Sequence, residues 1–65
     1  MKFGENLRRL RESQGLSIRT LAGKAEVGYV SIFRIEAGQQ DPTLSMLKKI
    51  ATTLNVSVSE LIGEE

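Results

Sequence analysis

The sequence predicts an all-α fold, a compact five-helix bundle forming a single domain over residues 1–65. Three observations predict it. Apolar residues recur at helical spacing (i, i+3, i+4, i+7) in five separate stretches, and no stretch alternates as a half-buried strand does. Helix-starting residues, Ser17, Thr43 and Ser57, stand ahead of three stretches, and the glycines Gly15, Gly38 and Gly63 stop three. A chain of 65 residues is small enough that folding is marginal and its one core must be used efficiently.

The first helix is expected from about Lys2 to Ser13, where Phe3, Leu7 and Leu10 form a narrow stripe and Gly15 supplies the stop. Its outer face offers Glu5–Arg9 and Arg8–Glu12 as i, i+4 ion pairs. The second helix runs from roughly Ile18 to Ala25 behind Ser17 as N-cap, with Ile18, Leu21, Ala22 and Ala25 on one side. Gly23 inside it weakens the helix by ~1 kcal/mol against Ala, and close packing under the third helix is the expected compensation. Val27 and Gly28 open that third helix, roughly Tyr29 to Ala37, with Ile32 and Ile35 inward, Glu36 beside them and Gly38 as the stop. So short a joint cannot lay two helices antiparallel. It forces a wide crossing, the helix-turn-helix arrangement in which the second helix of the pair stands proud. A helix presented that way fits the major groove of DNA.

Gly38 to Pro42 is the longest loop. Pro42 and Thr43 then start the fourth helix, where Leu44, Leu47, Ile50, Ala51 and Leu54 share a face. Ser57 and Glu60 make a capping box for the fifth, each side chain satisfying an orphan backbone N–H of the other. Val58, Leu61 and Ile62 follow, Gly63 ends it, and Val56 before the cap is placed to staple onto Leu61.

Composition excludes several function classes. The chain has no Cys and no His, so a disulfide framework, a zinc finger and His-based acid–base catalysis are ruled out. It offers no Gly-rich phosphate loop and no paired-carboxylate constellation, and little room for a pocket, so an enzyme is not expected. Nor is a cofactor, a metal or a small-molecule ligand. No apolar run reaches membrane-spanning length and no signal peptide is recognisable, which reads as a soluble, cytoplasmic protein without a membrane partner. Net charge is only +1. Its distribution is uneven: Lys2, Arg8, Arg9, Arg11, Arg19, Lys24 and Arg34 outnumber Glu5, Glu12 and Glu26 in the first half. In the second half Glu36, Asp41, Glu60, Glu64 and Glu65 outnumber Lys48 and Lys49. That asymmetry points a nucleic-acid face away from the C-terminal tail.

Taken in order, Leu7-x-x-Leu10-Arg11, Leu16-Ser17, Leu21-Ala22, Val27 and Ile32-x-Arg34-Ile35-Glu36-x-Gly38 form one pattern. Pro42-Thr43-Leu44, Leu47-x-x-Ile50-Ala51 and Leu54-Asn55-Val56-Ser57-Val58-x-x-Leu61 continue it. The set resembles the lambda-repressor-like, or XRE, helix-turn-helix family from Phe3 to Ile62. The resemblance implies a sequence-specific double-stranded DNA-binding transcription regulator, repressor or controller in type, nucleoid-associated when bound. With only Gly63, Glu64 and Glu65 after the fifth helix, a minimal regulator is expected, its output being occupancy of its site.

Residue by residue, the family uses the positions matching Tyr29, Val30 and Arg34 for base edges. The helical wheel agrees, placing Tyr29, Val30, Phe33, Arg34 and Ala37 outward. Arg34 has a planar fork that can bridge O6 and N7 of a guanine. Tyr29, Val30 and Phe33 are suited instead to thymine methyls. Phosphate contacts are implied at the start of the second helix (Ser17, Ile18, Arg19) and in the loop after the third (Gln39, Gln40). A helix N-terminus attracts anions, and Arg19 adds a mobile cation. The resemblance also implies a partly buried Arg11–Glu36 ion pair clamping the first helix to the third. It implies a homodimer as well, joined through Val56, Val58, Leu61 and Ile62, on an inverted-repeat operator. Two departures matter. Gln is common where this chain has Ile18, and the reading face is commonly Gln, Ser, Asn and Arg. The apolar face found here keeps an alternative open, a protein-interaction module of antitoxin or scaffold type.

Overall fold

The computed structural model describes residues 3–63. Its five helices are α1 Phe3–Ser13, α2 Ile18–Ala25, α3 Tyr29–Glu36, α4 Leu44–Leu54 and α5 Val58–Ile62, and no strand occurs among the described residues. The expected start of α1 at Lys2, and the acidic pair Glu64 and Glu65, lie outside them. Ala37 caps α3 instead of extending it.

Every helix gives at least one fully buried side chain to a single core: Leu7 from α1, Leu21 from α2, Ile32 and Ile35 from α3, Ile50 and Leu54 from α4, Leu61 from α5. Leu44 does not join them. It is 63% exposed, because the first side chain of a helix leans back past the helix end, here off the core. Leu61 departs from its expected place in a dimer seam. It has no exposed surface, and Val56, Val58 and Ile62 pack half-buried around the same core.

Side chains cap the N-termini of α2, α4 and α5, whereas α3 starts at Gly28 without one. Ser17 accepts from Thr20 N, Thr43 from Met46 N, and the Ser57–Glu60 capping box is complete. At the other end α2 and α4 stop on left-handed residues without being glycine, Glu26 at φ 57° and Asn55 at φ 58°. Asn tolerates that conformation, whereas Glu strains in it. The short α5 is tied down by α1. Asn6 Nδ2 donates to the carbonyls of Glu60 (2.8 Å) and Leu61 (2.7 Å) at the C-terminal end of α5, where the Glu60 oxygen also accepts from Gly63 N at 3.2 Å. Gln14 Nε2 likewise donates to Leu54 O at 2.7 Å.

The close packing expected at Gly23 occurs instead at Gly4. Gly23 is exposed, and a Cβ there would meet nothing within 4 Å, so no close packing offsets its cost to α2. Gly4 is where backbones touch. A Cβ on it would overlap the Ile35 carbonyl oxygen and come within 2.9 Å of that of Glu36, so α1 rests on the end of α3. The surface pairs expected on α1 also form differently. Arg9 donates to Asn6 Oδ1, and Arg8 turns to Glu36 instead of Glu12.

Candidate nucleic-acid interface

The site is built on α2, the turn after it and α3. Ser17 is extended (φ −77°, ψ 165°), and its Oγ accepts from Thr20 N at 3.0 Å and donates to Thr20 Oγ1 at 2.8 Å. Its hydroxyl proton is therefore engaged inside the helix cap, which leaves backbone amides as the anion-facing donors of this turn. Ile18 packs half-buried against the core and can offer only its N–H outward. Arg19, expected to add a cation here, is exposed with its Cζ 4.5 Å from the centroid of the Tyr29 ring.

The joint between α2 and α3 turns on Glu26. Its left-handed backbone lets the Val27 amide reach back to Ala22 O at 3.0 Å, which closes α2 and redirects the chain into α3. α3 then shows two unlike faces. Inward lie Ile32 and Ile35, and Glu36 at 6% exposure. Outward lie Tyr29 (44% exposed), Val30 (46%) and Phe33 (54%), with Arg34 also exposed and its guanidinium unpartnered among the described residues. Gln39 is exposed after the helix, its amide bonded to Arg34 O at 2.8 Å, whereas Gln40 is half-buried beside Phe3 and Pro42.

Glu36 fixes the inner face. Arg11 Nε donates to its Oε2 at 2.7 Å and Arg11 Nη2 to its Oε1 at 2.9 Å, a bidentate pair. Arg8 Nε adds a longer bond to Oε1 at 3.3 Å, which local i, i+4 reasoning did not foresee. Arg11 Nη1 also donates to Leu16 O at 2.7 Å, so one side chain ties α1, the entry to α2 and the end of α3 together. The hydrogen bond to Glu36 raises the Arg11 pKa above its ordinary value, outweighing the desolvation that lowers it. Among the described residues no buried side-chain nitrogen or oxygen lacks a partner.

Charge in space does not follow charge along the chain. Lys48 and Lys49, from the acidic half, join Lys24 and Glu26 around a shallow groove of about 290 Å³ between α2 and α4. No helix of the described residues is long and apolar enough to cross a membrane.

Comparison with known proteins places this geometry. The family HTH_3, helix-turn-helix, matches residues 7–61. The HTH-type transcriptional regulator DdrOP3 of Deinococcus deserti is 34% identical over 62 residues, which are 95% of this chain and 48% of that protein. The chain spans half or less of the length of the curated relatives it matches. Among solved structures, the restriction-modification controller protein C.AhdI from Aeromonas hydrophila superposes with a TM-score of 0.89 at 38% identity, covering 92% of this chain and 91% of that one. The N-terminal DNA binding domain of SinR from Bacillus subtilis superposes with a TM-score of 0.90 at 33% identity, covering 97% and 93%.

Proposed function

The chain belongs to the helix-turn-helix family HTH_3, and on that premise we propose that it regulates transcription, as a repressor or controller, by binding double-stranded DNA with α3 in the major groove. The observation that carries the reading is the asymmetry of α3. Its inner face is clamped by Arg11 and Glu36, while Arg34 on the outer one has no partner among the described residues. A reading helix whose orientation is set by its own domain enters the groove without an ordering cost at that step. Arg34 reads a guanine through O6 and N7, and Val30 and Phe33 lie against thymine methyls beside it. Arg19, Gln39, Gln40 and the first amides of α2, at Ser17 and Ile18, hold the phosphates.

The protein acts as a two-fold homodimer. Val56, Val58 and Ile62, half-buried on and before α5, form the seam, with Leu61 in the core beneath them. Seated there, the two copies of α3 meet successive turns of the groove, about 34 Å and ~10 base pairs apart, on an inverted repeat. Glu60 is exposed on the same helix, and its repulsion across the axis keeps the dimer weak until DNA joins it.

The test is selection from a random duplex library, followed by titration of the enriched duplex at low and high salt with sedimentation for stoichiometry. The expected result is an enriched inverted repeat, two protomers per duplex and an affinity that falls steeply with salt. A single half-site bound by one protomer would remove the dimer and leave the DNA reading standing. No enriched duplex, with the apolar strip of Tyr29, Val30 and Phe33 binding a protein at all salt concentrations, would replace the DNA reading altogether.

A further inference from the structure

We propose that Tyr29 is a positioning residue for a phosphate clamp: its ring holds the Arg19 guanidinium ready to grip the DNA backbone. The inference rests on the DNA-binding reading and moves Tyr29 out of the set of base readers. Arg19 is the second residue of α2 and Tyr29 the first of α3, so the pair bridges the two helices of the motif. The 4.5 Å between Arg19 Cζ and the ring centroid lies well inside the ~6 Å reach of a cation–π contact. Both residues are exposed, and no carboxylate of the described residues pairs with Arg19.

The cation–π contact decides what each group has left to offer. A guanidinium held over a ring by its charge spends no N–H donor on a carboxylate, so the fork that matches phosphate oxygens stays available. An exposed Arg otherwise samples many rotamers and loses that freedom when it binds. Held on Tyr29, it has lost part of it beforehand. The ring face that carries the cation is no longer free to lie on a base. Its place at the first residue of α3, beside the start of α2, puts the guanidinium where the duplex backbone borders the groove. Val30, Phe33 and Arg34 remain to face the base edges.

Two measurements test this. In the free protein, proton NMR should show Arg19 side-chain protons shifted upfield by the ring of Tyr29, the chain's one tyrosine. Tyr29→Ala should abolish the shift and Tyr29→Phe should keep it. On DNA, a random-sequence duplex and the library-selected duplex are titrated across salt with Arg19→Ala, Tyr29→Ala, Tyr29→Phe and the double Ala variant. Tyr29→Ala should weaken both duplexes by the same factor, Tyr29→Phe should bind like the unmutated protein, and the double variant should bind no worse than Arg19→Ala alone. Loss of one phosphate contact flattens the salt slope of Arg19→Ala by about one unit, so the advantage of the unmutated protein shrinks three- to fourfold between about 50 and about 200 mM salt. The clamp is overturned if Arg19 shows no ring-current shift. It is overturned equally if Tyr29→Ala relaxes choice at one base pair, keeps the full salt slope and adds to Arg19→Ala. Failure of the DNA reading looks different: the shift is present, but the unmutated protein binds neither duplex, and the clamp falls with it.

Discussion

Phe33 and Glu36 stand one turn apart on α3 in opposite surroundings. Glu36 is 6% exposed, holds two arginines of α1 and closes a face with its polar groups satisfied. Phe33 is 54% exposed, and with Tyr29 and Val30 it leaves an apolar strip in water. Fully burying one such side chain is worth about 1.5–3 kcal/mol, which the strip leaves unrealised in the free domain. The domain fixes one face of its presented helix and leaves the other incomplete. Substitutions on the inner face should therefore move stability, and those on the outer face should move binding.

Removing Glu36 should have the largest effect. Glu36→Leu leaves Arg11, itself 8% exposed, with only the Leu16 carbonyl, and orphaning a buried charge costs about 3–5 kcal/mol. Small domains hold roughly 0.05–0.15 kcal/mol per residue, on the order of 3–10 kcal/mol for 65 residues, so the loss should take a large share of the stability. Arg11→Met should be milder, because Arg8 stays 3.3 Å from Glu36. Combining the two apolar substitutions should recover much of the loss, since neither charge is then left buried alone. Urea titration measures all three variants. Additive losses below ~1 kcal/mol would show that the pair clamps nothing.

Gly4→Ala is expected to come next, at about 1–3 kcal/mol, because its methyl group meets the Ile35 and Glu36 carbonyl oxygens, which cannot swing aside as a flexible side chain would. The melting point should fall by about 4–8 °C for each kcal/mol lost. Arg34→Ala probes the opposite face. Its stability should stay within about 0.5 kcal/mol of the parent, while binding to the selected duplex weakens by roughly 1–3 kcal/mol and choice relaxes at one base pair. Equal losses on random and selected DNA would make Arg34 a phosphate contact.

These residues also show how far the sequence could be read. Periodicity located the five helices and most of the inner face, because burial repeats with the helical turn. The stops at Gly15, Gly38 and Gly63 were legible because glycine advertises a left-handed backbone. Glu26 and Asn55 adopt the same conformation without that advertisement and were missed. On the candidate site, the outward set of α3 was legible from a helical wheel. The Arg19–Tyr29 contact and the Arg8–Glu36 bond were not, since each joins different helices: helical spacing shows only i, i+4 neighbours, and the resemblance to the family supplied only the Arg11–Glu36 pair between helices. Leu44 and Leu61 were misplaced for a related reason. Periodicity assigns a face, but where a helix ends and what covers it are tertiary facts.

Gly23→Ala should have the smallest effect, and it tests the sign of the same substitution made at Gly4. Gly23 lies inside α2, is exposed, and would place its new Cβ more than 4 Å from any neighbour outside the helix's own backbone. Its φ lies outside the left-handed range, so alanine fits the backbone it meets. Nothing then opposes the gain in helix propensity, about 0.5–1 kcal/mol, most of it lost freedom in the unfolded chain. The melting point should rise by a few degrees on the scale of about 4–8 °C per kcal/mol, with affinity for the selected duplex unchanged. Both glycines sit in helices, so propensity alone predicts a rise in both variants. Only the contact of α1 with the carbonyls of α3 predicts a rise at Gly23 and a fall at Gly4. A fall at Gly23 would mean that α2 is covered on its exposed side in solution, and the outer surface of the motif would then extend beyond α3.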